Sequence, residues 1–187
     1  MSKPQQLVST AFTLFYQQGI HATGINQILQ QAGVAKKTLY HHFPAKDDLL
    51  LAVLAQRDEV FSGWLLQRLD NASNLSELCH AWFNALDDWF HSRVEQLQPF
   101  HGCFFVNTSA EFSDQQHPVQ QACRAHKQHL QQALTRRLRD YSDQATALAQ
   151  EWCLLKEGAI ASAAVSANLN AAQQALTLAL RHPLLQG

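Results

Sequence analysis

The chain of 187 residues holds 14 Lys and Arg against 15 Asp and Glu, for a formal net charge of −1, with 47% hydrophobic residues and only seven Gly and five Pro. A chain of this length buries a sizeable core unaided, and few helix breakers among many apolar residues predict long helices with short connections, an all-α fold. The longest strictly apolar run, residues 49–55, is too short to cross a bilayer, and Lys3, Gln5 and Gln6 stand where a signal peptide would be apolar, so the expected location is cytoplasmic with no membrane partner.

In chain order, the first helix is expected from near Pro4, with Val8, Ala11, Phe12 and Phe15 at helical spacing before Gly19. A second follows Thr23, read as its N-cap, with Ile25, Ile28, Leu29 and Ala32 on one face and Gly33 at its end. Only one short helix fits between Gly33 and Pro44, because the position before a proline disfavours the α conformation and Phe43 closes it. These three helices form a small head. A long amphipathic helix over 46–69 then acts as connector, its first turn made acidic by Asp47 and Asp48. The body continues with helices over 75–93, 104–112, 118–139, 145–167 and 170–181, the last capped by Asn170 with Gln173 three residues on and stopped by Pro183. The total is about nine helices, divided as a head over 1–46 and a body over 47–187.

Charge follows the same division. Residues 1–46 contain Lys3, Lys36, Lys37 and Lys46 and no acid, whereas 47–187 contain ten basic and all fifteen acidic residues. Local Lys density, not whole-chain charge, attracts a polyanion, so the head is the part expected to meet one.

Within the head, Gly33 permits a tight turn between two helices, and Val34, Ala35, Leu39 and Phe43 point back at Ile25, Ile28 and Leu29. Lys36, Lys37, Tyr40 and His41 fall at i, i+1, i+4 and i+5 and project together from the opposite face. Such a surface suits a DNA groove: Lys36, Lys46 and Thr23 are read as phosphate contacts, and Lys37, Thr38 and Tyr40 as base-edge contacts. The stretch from Thr23 to Phe43, with Ala32-Gly33-Val34 at the turn, Thr38-Leu39-Tyr40-His41-His42-Phe43 closing the third helix and Lys46 beginning the fourth, resembles the signature of the TetR family of transcriptional regulators. The resemblance covers about residues 7–54. It implies DNA contacts at Thr23, Lys36, Lys37, Thr38, Tyr40, His41 and Lys46, a homodimer on a near-palindromic operator of double-stranded DNA, and a repressor released by a small-molecule effector. Gly24 departs from the family, which often has a capping side chain there.

In the body, the aromatic residues Trp64, Trp82, Phe83, Trp89, Phe90, Phe100, Phe104, Phe105 and Trp152 form an interior from which an effector site could be built, although aromatics at helical spacing are first of all packing. Asn107, Glu111 and His126 are polar interruptions that could orient a ligand or be satisfied core groups. Trp82, Cys103, Asn107, Glu111, His126 and Trp152 therefore form the candidate effector set. The segment from His101 to Glu111 resembles the G-C-x-x-x-N-x-x-x-E pattern of a TetR subgroup that includes electrophile- and oxidant-responsive repressors. A thiolate at Cys103, in the first turn of a helix and beside His101, would be favoured by both, against the plainer reading of a buried small side chain.

Cys79, Cys123 and Cys153 lie on apolar stripes, and no C-x-x-C is present, so all four cysteines are read as thiols rather than zinc ligands or disulfides. The close histidine pairs, His41 with His42 and His126 with His129, have no third ligand at helical spacing, so no metal and no cofactor are expected. A helical enzyme with Glu111 and His126 as acid and base finds no supporting nucleophile motif or phosphate loop, and the chain is read as a non-enzyme. In the last two helices, the small residues Gly158, Ala159, Ala161, Ser162, Ala163 and Ala164 would let two copies approach closely in a four-helix contact, with Ala163 placed in that contact.

Overall fold

The computed structural model describes residues 1–186, and among these it has nine α-helices and no strand: α1 Lys3–Gln18, α2 Ile25–Ala32, α3 Lys36–His42, α4 Lys46–Gln67, α5 Leu75–Phe90, α6 Phe104–Ala110, α7 Pro118–Leu138, α8 Ala145–Ser166 and α9 Ala171–Ala179. Short 3-10 turns cover Glu95–Leu97 and Pro183–Leu185. The all-α expectation and the order of the helices agree with this arrangement. Two caps differ from expectation. The N-cap of α2 is Gly24, which has no side chain to offer, while the Thr23 hydroxyl donates back to the Gly19 carbonyl at 2.7 Å. Asn170 caps α9 without a side-chain hydrogen bond, and that helix stops at Ala179. By contrast, α1 has a complete capping box in which Ser2 and Gln5 satisfy each other's backbone N–H groups.

The chain packs as two compact units. Of the described residues, the first contains 1–59 and 103–126, the second 60–102 and 127–186. In the first, α1 packs on α2 and α3, and α2 on α3, with Leu7, Ala11, Ile28, Ala32, Val34 and Leu39 buried. Gly33 adopts φ 60° and ends α2, turning the chain into α3 at low cost because it lacks a Cβ. Helix α6 lies in the same unit. Its Phe104 meets Phe12 and Tyr16 of α1 edge-on at 5.3 and 6.0 Å, and its Phe105 stacks on the His126 ring of α7 at 3.6 Å.

In the second unit, α8 packs on α9, and α5 packs on both. Its core includes Leu78, Cys79, Trp82, Phe83, Leu86, Trp89, Leu148, Trp152 and Ala172. Phe61, Trp89, Phe90 and Phe100 form an aromatic cluster with ring separations of 4.9 to 5.8 Å. No helix of the described residues is long and apolar enough to cross a membrane.

Candidate nucleic-acid interface and sensing elements

Helix α3 is held by one side chain and reads outward with the rest. Leu39 is fully buried, whereas Lys36, Lys37, Tyr40 and His41 are exposed and Thr38 is half-buried. The Lys36 ammonium lies 5.8 Å from the centre of the Tyr40 ring, so cation and phenol share one end of the face. His41 and His42 meet edge to face at 5.0 Å. Lys36, Lys37, Tyr40 and His41 thus share the exposed face of one short helix, with Thr38 half-buried beside them.

Thr23 and Lys46 do something else. Thr23 is fully buried, and its hydroxyl is used by the Gly19 carbonyl, so the side chain braces the α1–α2 loop rather than facing a phosphate. Lys46 donates from Nζ to the Ile20 carbonyl at 2.5 Å and lies over the Phe15 ring at 5.7 Å. Burial holds its pKa below the ordinary lysine value against the opposing charges of Glu111 and Asp47. A hydroxyl or ammonium at a helix start looks the same in sequence whether it bonds outward or back to its own loop, so sequence alone does not separate a phosphate contact from a loop brace.

The residues expected to sense an effector divide between the two units. Cys103, Asn107, Glu111 and His126 belong to the first, Trp82 and Trp152 to the second. Cys103 is the N-cap of α6 and is buried. The guanidinium of Arg57, itself buried, lies over the rings of Phe12 and Tyr16 at 5.1 and 5.5 Å, and burial lowers its pKa against the charges of Tyr16 and Cys103. Asn107 is exposed. His126 is buried, with Nδ1 at 2.6 Å from the Asp58 carboxylate and its ring flat against Phe105. Glu111 is the C-cap of α6 and is occupied by the head: its two oxygens accept from the Ile20 and His21 amides at 2.8 and 2.7 Å, and His21 Nδ1 lies 2.8 Å from the second. This carboxylate is therefore not free to orient a ligand.

In the second unit, Trp82 and Trp152 are fully buried, and Phe83 lies 6.2 Å from Trp152. The indole N–H groups of Trp82, Trp89 and Trp152 find no hydrogen-bond partner among the described residues. Arg57, by contrast, had no signal in the sequence beyond its helical spacing from Val53 and Phe61 on the apolar face of α4.

Comparison with known proteins agrees with this geometry. Residues 7–53 match the description "Bacterial regulatory proteins, tetR family", and residues 75–181 match "Tetracyclin repressor-like, C-terminal domain". The structure of SCO4454, a TetR-family transcriptional regulator from Streptomyces coelicolor, superposes with a TM-score of 0.79 at 30% identity, covering 96% of this chain and 97% of that one. The chain belongs to the TetR family of transcriptional regulators. Among curated relatives, the HTH-type transcriptional regulator LmrA of Bacillus subtilis is 28% identical over 120 residues, 64% of this chain and 62% of LmrA. The HTH-type transcriptional activator FasR of Mycolicibacterium smegmatis is 37% identical over 86 residues, 44% of this chain and 39% of FasR. The chain thus spans less than two thirds of each of these curated relatives.

Proposed function

We propose that this chain is a cytoplasmic, non-enzymatic repressor that binds a near-palindromic operator as a homodimer and is released by a small-molecule effector. The observation that carries the reading is α3: Lys36, Lys37, Tyr40 and His41 exposed on one face, with Leu39 buried behind them. Lys36 supplies phosphate contact, and Lys37, Thr38, Tyr40 and His41 meet base edges in the major groove. The domain division at residue 46 is functional in this reading: 1–46 carries the DNA surface, and 47–187 carries effector binding and dimerisation. The effector is bound through the aromatic interior around Trp82 and Trp152, whose indole N–H groups suit an apolar ligand bearing hydrogen-bond acceptors.

The test is a mobility-shift titration on the duplex that the full chain selects from a randomised pool. Lys37→Ala and Tyr40→Ala should weaken selected-site binding by about tenfold each, more than they weaken binding to random duplex, and wild-type affinity should fall steeply with salt. Wild-type affinity in both variants would refute the assignment of α3. A second reading, in which modification of Cys103 replaces the reversible effector, is favoured by the place of Cys103 at the N-cap of α6, next to Phe104 in the ring cluster with Phe12 and Tyr16 of α1.

A further inference from the structure

We infer that Glu111 is a positioning residue for DNA binding: its carboxylate is the tie by which α6 holds the α1–α2 loop, and through that loop the helix-turn-helix. The inference rests on the DNA-binding reading of α3 and concerns the glutamate of the His101–Glu111 pattern, which effector binding leaves without a role.

Residues 19–21 form the corner between α1 and α2. Gly19 takes φ 91°, a conformation that L side chains rarely adopt, and this helps aim the next two amides in one direction. Both amides end on Glu111, Ile20 on one oxygen at 2.8 Å and His21 on the other at 2.7 Å. The approach is close enough that a Cβ on residue 19 would lie 3.3 Å from Glu111 Oε1. Ile20 is gripped on its other side too, because its carbonyl accepts from Lys46 at the start of α4. The corner is thus fastened to α6 by a carboxylate and to α4 by an ammonium, and Thr23 closes it internally through the Gly19 carbonyl.

From this corner the chain passes directly into α2, which packs on α3. A backbone fixed at residues 20 and 21 fixes where α2 begins and so how α3 is presented. Hydrogen bonds from amides to a carboxylate are the stronger, charge-assisted kind, and two from adjacent residues define direction as well as distance. Glu111 stands at the C-terminal end of a helix of only seven residues, whose contacts include Phe104 on α1, Phe105 on His126 and the Ser109 carbonyl, which accepts from Gln120 of α7. A rotation or slide of so short a helix moves both ends together, so a displacement at Cys103, Phe104 or Phe105 reaches the loop through this carboxylate, with the Phe112 ring against His21 beside it.

The experiment uses the full chain and its selected duplex. Glu111→Gln keeps the shape but sets an amide NH2 against one of the two N–H donors. It should lower operator affinity by at least about tenfold, and amide exchange at Ile20 and His21 should accelerate while overall helicity stays unchanged. His21→Ala keeps both backbone donors and should remain within about twofold of wild type. Glu111→Ala should be at least as weak as Glu111→Gln; if it does not fold, Glu111→Gln decides. Affinities are referred to the DNA-competent fraction measured by stoichiometric titration. Wild-type affinity in Glu111→Gln, equal losses in Glu111→Gln and His21→Ala, or a loss that vanishes once referred to that fraction would each overturn the inference. A wild-type chain that selects no duplex would instead overturn the DNA-binding reading on which it rests.

Discussion

Glu157 sits between two ammonium groups. Lys127 reaches both of its oxygens at 2.8 and 2.7 Å, and the fully buried Lys156 reaches one at 2.5 Å. Burial alone would raise its pKa, but the charges of Lys156 and Lys127, with their hydrogen bonds, outweigh it and hold the carboxyl at about 2. A carboxyl whose folded pKa lies below its unfolded value contributes stability that is full above the unfolded value, 4.5, and is lost as pH falls toward 2. Glu157→Gln should therefore melt below wild type at neutral pH, with the gap narrowing as pH is lowered from about 4.5 toward 2. Thermal unfolding followed by circular dichroism checks this, and a gap independent of pH would show that Glu157 is not the group responsible. The triad was not legible as a contact, because Lys127 and Glu157 are 30 residues apart, although Lys156 falls four residues from both Trp152 and Ile160 on the buried face of α8. Glu111 was equally opaque, because its partners lie 90 and 91 residues away and a carboxylate that binds a ligand has the same local sequence as one that binds a loop.

Elements were far more legible than their contacts. The spacing of Ile28 and Ala32, the left-handed Gly33 and the proline after Phe43 define α2 and α3 through chain-local physics, and the structure has both helices where that physics puts them. Cap chemistry was less legible: Thr23 is not the N-cap of α2, and Asn170 is the N-cap of α9 but without a side-chain bond, because a polar side chain near a helix start can bond in either direction or not at all. Helix α6 carries the strongest consequence of correct placement. Cys103 is its N-cap, next to Phe104 in the ring cluster of α1 and within the field of Arg57. In the thiol-switch reading, alkylation there adds bulk to a packed junction, which shifts between discrete arrangements rather than deforming smoothly. N-ethylmaleimide should modify Cys103 and lower operator affinity, and Cys103→Ser should bind the operator but ignore the reagent. Cys79, buried and with its thiol pushed up to about 12 by burial and the nearby Glu151, should be slow. Mass spectrometry of adducts alongside binding decides; Cys103 no faster than Cys79, or unchanged affinity after its modification, leaves the reversible effector as the account.

In the proposed homodimer, the outer face of α8 and α9 is the contact surface. Leu154 and Val165 are 75% and 86% exposed, and with Gly158 and Ala161 between them they follow an i, i+4, i+7, i+11 stripe that no described residue covers. Leu178 of α9 lies beside it at 48% exposure, and between the helices runs a groove of about 230 Å³ lined by Leu154, Gly158, Ser162, Ala171, Gln174 and Leu178. Exposed apolar side chains flanking small residues match what a two-fold, self-complementary helix contact requires. Ala163, placed in that contact on sequence grounds, is instead only 4% exposed within its own chain, so a large substitution there attacks the core. The informative variant is Leu154→Glu with Val165→Glu, which changes exposed positions alone. Wild type should sediment as a dimer at micromolar concentration and the double variant as a folded monomer with undiminished helicity. Operator affinity should then fall by at least about a hundredfold, because the second half-site is no longer held at high effective concentration. A monomeric wild type, or a double variant that remains dimeric, would move the interface away from this face and with it the explanation of paired half-sites.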